Sequence, residues 1–140
     1  MSKKIILISL LILATLLTTT VASAGLFDSK QQDQGINVTD IKISSEGYGL
    51  YDVSCQLTPK KDYKYLQMIV IFYDKDGAVI EKNSLAWNTN DPQKDQLIKV
   101  SGDCYVTGNS KPARAEVFFT DESLSTDIKD AIYAENVTMS

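Results

Sequence analysis

The chain has 140 residues, a net charge of −4 at pH 7 and no histidine. The missing imidazole excludes Ser-His-Asp and Cys-His mechanisms and removes the commonest zinc ligand. An acidic chain of this length has no broad electrostatic reason to bind nucleic acid. We therefore expect one domain that uses no metal, no cofactor and no catalytic residues.

The N-terminus has the pattern of a secretory signal peptide. Two lysines precede an apolar run over residues 5–17, and residues 21–24 read VASA, a small-residue cleavage site. The run is shorter than the ~20 residues of a typical membrane span. We predict a signal peptide over residues 1–24, cleavage after Ala24, and an extracellular or cell-surface location. Retention of the segment as an uncleaved membrane anchor is the alternative.

Removal of the signal peptide leaves a more acidic chain of single-domain size. Residues 1–24 carry Lys3 and Lys4 as their only charged side chains, so the net charge becomes two units more negative. Residues 25–34 are polar and lack periodicity, which predicts a flexible leader. Residues 35–140 are long enough for one domain with its own core.

Short segments rich in Val, Ile, Tyr and Phe alternate with polar residues along this domain, and Gly, Pro, Asn and Asp clusters separate them. The first is a strand pair or bulged strand, marked by Ile36, Val38, Ile41 and Ile43. The later strand candidates are residues 50–58, 66–74, 78–87, 97–106 and 114–120. No helical period separates consecutive strands, so the pattern predicts an antiparallel sandwich rather than βαβ units.

The C-terminal region carries the one predicted helix. Asp127 can cap a helix of about two turns whose apolar side chains share a face; these are Leu124, Ile128, Ala131 and Ile132. Residues 134–139 are expected to return as a seventh strand. The strand over residues 66–73 is apolar on both faces, so its second face needs cover. We expect the C-terminal segment to cover it, and another protein is the alternative.

Residues 74–77 read DKDG, like the start of a calcium loop. The twelfth position counted from Asp74 is Leu85 rather than the Glu that such a loop requires, and the residues after Gly77 are typical of a strand. We therefore predict a hairpin turn in which Gly77 takes a positive φ, and no metal site.

Residues 70–80, VIFYDKDGAVI, lie after GLYDVSCQL at 49–57. Together they resemble the FxLYD-type domains, whose pattern ends in Tyr-Asp and a D-G or N-G hairpin. Tyr73, Asp74 and Gly77 match that end, whereas Phe72 stands where Leu is usual and Val70 where Phe is usual. The resemblance covers about residues 35–120. It implies a secreted or surface-exposed immunoglobulin-like sandwich with no catalytic residues to carry over.

The fold class that we expect is all-β, an immunoglobulin-like antiparallel β-sandwich of about seven strands with a short C-terminal helix. Strand alternation points Cys55 and Cys104 into its core. A disulfide between them would close a loop of about 50 residues and stabilise the fold by ~3 to 4 kcal/mol. Two buried free thiols are the alternative. Asn37 and Asn136 begin intact N-x-Thr sequons, each of which predicts a surface position if it is glycosylated.

Two predicted loops carry side chains suited to binding. The first combines basic and aromatic groups that fit an anionic polymer or a partner surface: Lys60, Lys61, Tyr63, Lys64 and Tyr65. The second begins at Trp87, which could stack on a sugar beside the amides and carboxylates of residues 88–95. Ordinary edge protection by lysines and ordinary packing of aromatics at the core rim are the structural alternatives.

The expected function is that of a non-catalytic secreted or cell-surface module, for structural support or for interaction with a protein or glycan. The alternative is a small secreted carbohydrate-active hydrolase or lyase that uses Trp87 and nearby acids. These acids lie in predicted turns and at strand ends, where a solvated rim is typical: Asp62, Asp91, Asp95, Asp103, Asp121 and Glu122.

Overall fold

A computed structural model describes residues 34–140, which form seven strands and one 3-10 turn. The strands are β1 (Ile36–Gly47), β2 (Leu50–Pro59), β3 (Tyr65–Tyr73), β4 (Val79–Asn90), β5 (Ile98–Tyr105), β6 (Arg114–Thr120) and β7 (Tyr133–Thr138). The predicted signal peptide and residues 25–33 of the predicted leader lie outside the described residues. None of the helices in residues 34–140 has the length and hydropathy needed to cross a bilayer.

The strands form two antiparallel sheets, in the orders β1-β2-β5 and β4-β3-β6-β7. The predicted all-β, immunoglobulin-like sandwich is therefore confirmed. In a constant-type immunoglobulin domain the fourth strand joins the sheet of the first two strands. Here β4 pairs with β3 instead, so the second sheet is the larger one.

The core lies between the sheets and follows the two-residue alternation of the strands. In β2, Val53, Cys55 and Leu57 are buried while the residues between them are partly exposed, as the alternation predicts. The second sheet contributes larger side chains to the same cluster: Leu66, Met68, Val70, Phe72, Val117 and Phe119. Burial of these aromatic and branched side chains supplies the main stabilisation of the sandwich.

Strand β3 is buried on both faces, from Leu66 to Phe72. Ile69 and Ile71 form a second cluster outside the sandwich with Phe118 and Ala131. The predicted cover by the C-terminal segment is thus confirmed, but its residues differ from those expected. Ala131 makes the contact, whereas Leu124 is 92% exposed.

The predicted two-turn helix is wrong, because only Ile128–Asp130 form a 3-10 turn. Asp127 caps it as expected, since its carboxylate accepts a bond from the Lys129 N–H at 3.0 Å. The backbone becomes extended at Ala131, and the Ile132 N–H donates to the Phe119 carbonyl at 2.8 Å. The chain must rejoin the sheet there to form β7, the predicted seventh strand, so no room remains for a longer helix.

The DKDG segment is the turn of the β3–β4 hairpin. The Asp74 side chain accepts bonds from the N–H groups of Asp76 and Ala78, both at 2.9 Å, and Gly77 has a φ of 84°. Asp74 therefore closes the turn as an Asx motif. Strand β1 is one bulged strand, because its register with β2 shifts between Thr39 and Lys42.

The β4–β5 side of the sandwich is joined by side chains rather than by a ladder. Asn83 accepts from the Tyr105 N–H at 3.0 Å and donates to the Tyr105 carbonyl at 3.2 Å. The hydroxyl and the N–H of Thr107 both donate to Glu81, and these bonds lower the pKa of that carboxyl. Asn83 thus satisfies two backbone groups on the edge of β5.

The alternative of two free thiols is correct, and the predicted disulfide is wrong. Cys55 lies opposite Val100 in the β2–β5 ladder, whereas Cys104 lies opposite Tyr51. The two cysteines are therefore four residues apart along one sheet, which corresponds to ~13 Å, beyond the ~7 Å that a disulfide can bridge. Burial raises the pKa of both thiols to about 12.

Both thiols should resist modification in the folded chain at pH 8. Each is buried, and its raised pKa of about 12 keeps it in the unreactive thiol form at that pH. We expect no rapid reaction with a chromogenic disulfide reagent under native conditions and two reactive thiols per chain in denaturant. The mass measured without reductant should match the mass measured with it. A mass lower by two hydrogens would contradict the strand register.

Replacing Gly102 should destabilise the sandwich. Its side-chain position faces the Ala86 carbonyl, which a Cβ would overlap, and β4 can move away only by straining the Asn83 bonds. We expect Gly102→Ala to lower the free energy of unfolding by ~1 to 3 kcal/mol. Lys99→Ala, an exposed change in the same strand, should stay within ~0.5 kcal/mol in urea denaturation. Equal midpoints for the two variants would contradict the close approach of β4 to β5.

Candidate interaction site

Three loops lie at one end of the sandwich: 60–64 between β2 and β3, 91–97 between β4 and β5, and 121–132 between β6 and β7. In immunoglobulin variable domains, loops at one end of the sandwich, including those of the second-to-third and sixth-to-seventh core strands, form the binding surface. This likeness is an analogy of fold, so the residues must carry the argument. We call this set the loop end.

The structure brings the two sequence-predicted patches together. The Tyr63 N–H donates to the Pro92 carbonyl at 3.1 Å, and the Lys94 N–H donates to the Asp62 carboxylate at 2.8 Å. Lys64 pairs with Asp91 at 3.4 Å. Both members of this pair are largely exposed, so it adds little stability. The backbone bonds are what hold loops 60–64 and 91–97 side by side.

Tyr63 is a core residue rather than part of an exposed patch. It is 7% exposed, and its hydroxyl lies so close to Gly35 that a Cβ at that position would overlap it. The Lys61 ammonium lies 5.0 Å from the centre of the ring. Lys60, Lys61 and Lys64 are exposed as expected. The loop therefore presents lysines to solvent and uses Tyr63 as its anchor.

Tyr65 and Trp87 are half-buried. The Tyr65 hydroxyl donates to Gln67 at 2.9 Å and accepts from Asn88 at 3.3 Å, so it belongs to a polar network on the sheet. The Trp87 ring meets Phe119 edge-on at 6.3 Å and packs against the main core. Both side chains therefore already have partners within the sandwich.

The segment 121–132 crosses the outer face of the second sheet and is held there by hydrogen bonds. Gln67 of β3, which is 2% exposed, donates to the Ser125 carbonyl at 2.5 Å. Lys82 of β4 donates to the Thr126 carbonyl, and the Ser125 hydroxyl donates to Asp130 at 2.6 Å. We call this segment the strap. A buried glutamine satisfied by the strap backbone makes its position specific.

The strap presents apolar side chains to solvent. Leu124 is 92% exposed and has a φ of 71°, a conformation that non-glycine residues rarely adopt, and Ile128 is 40% exposed. Four acids flank these two side chains, with one lysine among them: Asp121, Glu122, Asp127, Asp130 and Lys129. The sequence pattern predicts that Leu124 and Ile128 pack over β3, and this is wrong because both are exposed. The missed signal was Gln67, a polar residue in an apolar strand.

Both sequon asparagines are exposed strand residues. Asn37 lies on β1 opposite Thr58. The Asn136 side-chain oxygen accepts from Arg114 at 2.8 Å, and the Arg114 guanidinium stacks on the Tyr73 ring at 3.7 Å. The amide nitrogen of Asn136 takes no part in this bond. Glycosylation of both sites stays a prediction.

Within residues 34–140, no group of three or more Cys, Asp or Glu side chains converges to hold a metal ion. Of the acids assigned to the enzyme alternative, Asp62 and Asp91 join loops 60–64 and 91–97, because Asp62 accepts from Lys94 and Asp91 accepts from Lys64. Asp103 lies on β5 of the other sheet. The remaining acids of that set are exposed in the loops: Asp95, Asp121 and Glu122.

No family model and no curated protein matches the chain, so the FxLYD-type resemblance receives no support from those searches. Among solved structures, a member of the DUF1425 family from Shewanella sp. pv-4 is similar over 64% of this chain and 80% of its own, with 21% identity and a TM-score of 0.44. These values support no functional argument.

Two β-glucosidases also resemble the chain. The Bifidobacterium adolescentis GH3 enzyme has 13% identity and a TM-score of 0.42, and β-glucosidase 3B from Thermotoga neapolitana, solved with α-D-glucose, has 11% and 0.41. Each likeness covers 74% of this chain but only 17% and 15% of the enzyme, respectively. The chain therefore spans a small part of these proteins, and the similarity bears on neither activity nor substrate.

Truncating Tyr63 should act on stability, because its ring is part of the core. We expect Tyr63→Ala to cost ~3 kcal/mol or more in the free energy of unfolding, as for other buried aromatic residues. Lys61→Ala and Lys64→Ala should each stay within ~0.5 kcal/mol. Urea denaturation of the three variants measures the difference. A Tyr63→Ala protein as stable as the lysine variants would contradict the burial of this ring in the core.

Proposed function

We propose that the protein is a non-catalytic, exported immunoglobulin-like module that binds a protein partner through its loop end. The observation that carries the proposal is the strap, in which Leu124 and Ile128 are exposed while the backbone around them is held by Gln67 and Lys82. A loop already fixed in position loses little conformational entropy on binding, so its apolar side chains are effective anchors.

A protein is a better match than a glycan for this surface. Leu124 and Ile128 are aliphatic, whereas sugars are usually bound by aromatic faces and by convergent polar groups. The surrounding acids match a partner whose apolar pocket has a basic rim, which would also favour fast association. The signal-peptide pattern and the FxLYD-type resemblance support a secreted or cell-surface location for this contact. The carbohydrate-active alternative has no observation in its favour, because Trp87 packs against Phe119.

The test places a photoreactive amino acid at Ser123 of the strap and crosslinks in intact cells. We expect one discrete adduct, which disappears in the Leu124→Ser/Ile128→Ser double variant because the apolar anchors are lost; anchors of this kind typically contribute tenfold or more to affinity. Leu85→Ser is the matched control, since Leu85 is 59% exposed on β4, and should keep the adduct.

Circular dichroism of the purified double variant should show a thermal midpoint close to that of the parent chain, because both substituted side chains are largely exposed. An adduct that persists in the double variant, or that is lost equally in Leu85→Ser, would reject the strap as the docking element. Identification of the adduct by mass spectrometry then gives the partner, whose basic pocket rim is the expected feature.

A further inference from the structure

The loop end carries charges of opposite sign on different segments. Loop 60–64 has three lysines and one aspartate and loop 91–97 has one lysine and two aspartates, whereas the strap has four acids and one lysine. Loop 60–64 leads into β3, and the strap leaves β6. Because Gln67 of β3 pairs with Thr120 of β6 in the ladder, these two segments begin side by side. A basic part of the loop end, loop 60–64, therefore adjoins an acidic part, the strap.

Several of these charges take no part in an ion pair within residues 34–140. The two ion pairs of this range join Lys64 to Asp91 and Lys129 to Asp127. Four exposed charged side chains of the loop end, two of each sign, belong to neither pair: Lys60, Lys61, Asp121 and Glu122. The basic part and the acidic part can therefore each form ion pairs with another molecule.

Each part of the loop end also has an exposed leucine beside it. Leu124 of the strap is 92% exposed among the acids, and Leu97 is 61% exposed just before β5. The Asp95 N–H donates to the Pro59 carbonyl at 2.8 Å. This bond places Leu97, two residues later, beside the end of β2, where the lysine-bearing loop begins. Leu97 therefore accompanies the basic part, and Leu124 accompanies the acidic part.

A surface of this kind is complementary to itself. In a dimer with two-fold symmetry the same patch is used twice, so each contact between the two copies occurs together with its reverse. The two-fold rotation brings the strap of each copy onto loop 60–64 of the other, and Leu124 onto Leu97. The partner expected for the strap offers an apolar contact with a basic rim. Leu97 and loop 60–64 supply both of these features.

We propose that the partner of the strap is a second copy of this chain, an inference that rests on the function proposed above. Leu124 of each copy packs against Leu97 of the other, and the acids at the start of the strap pair with Lys60 and Lys61. Exposed ion pairs set the register of the contact and add little affinity. The net charge of −4 on each chain opposes association at long range. The dimer should therefore be transient, with a Kd on the order of 10 to 100 μM.

The test is sedimentation velocity of the purified chain over a concentration series that spans this Kd, at physiological ionic strength, which screens distant charges. We expect the dimer fraction to rise with concentration. The double variants Lys60→Glu/Lys61→Glu and Asp121→Lys/Glu122→Lys should each weaken the dimer at least tenfold, because like charges then face each other. An equimolar mixture of the two variants should restore the dimer, because both reciprocal contacts then join opposite charges.

Lys42→Glu/Lys75→Glu is the matched control, since it makes the same change in net charge at exposed lysines of β1 and the β3–β4 hairpin, and it should leave the Kd within about twofold. A chain that stays monomeric throughout the series, a mixture that forms no dimer, or a control as weak as the loop variant would overturn the proposal.

The crosslink from Ser123 in intact cells separates this proposal from the function on which it rests. An adduct with twice the mass of the chain supports the second copy. An adduct of any other mass rejects the second copy but keeps the strap as the docking element for a different protein. The absence of any adduct rejects both proposals.

Discussion

The burial of β3 on both faces is the constraint on which the rest of the structure depends. One face of this strand packs into the sandwich, and its other face carries Ile69 and Ile71, which water would otherwise contact. The chain therefore cannot join β6 to β7 by a short hairpin, since the connection must cross the sheet to place Ala131 over them. The buried Gln67 then fixes where the strap crosses. Exposure of Leu124 follows from this route, because the strap uses its backbone and a small residue to make the cover.

The fold holds the loop end in a fixed position. At the loop end, backbone bonds between loops 60–64 and 91–97 and the anchoring of Tyr63 give a fixed platform. Rigid, pre-positioned side chains favour binding of a protein surface, because little conformational entropy is lost on association.

The sheet architecture could be predicted from the sequence because alternation in β2 and β6 is a local signal, and because Gly77 and Asp74 specify their turn by themselves. The strap could not, since the bond from Gln67 to Ser125 joins residues distant in sequence. The two cysteines illustrate the same limit. Alternation correctly points Cys55 and Cys104 into the core, but whether they meet depends on the β2–β5 register, which no local pattern encodes. Tyr63 was misplaced because the sequence does not reveal Gly35 as its neighbour.

The same central strand has a consequence for how the chain reaches its native state. β3 pairs on one side with β4, the next strand in the chain, and on the other side with β6, where Phe118 lies opposite Ile69. Roughly fifty residues must be added before that partner exists, and closing so long a loop is slow. During this interval the uncharged segment YLQMIVIFY is an unpaired, aggregation-prone edge. A chain of this design is exposed to aggregation until β6 has been made and can pair with β3.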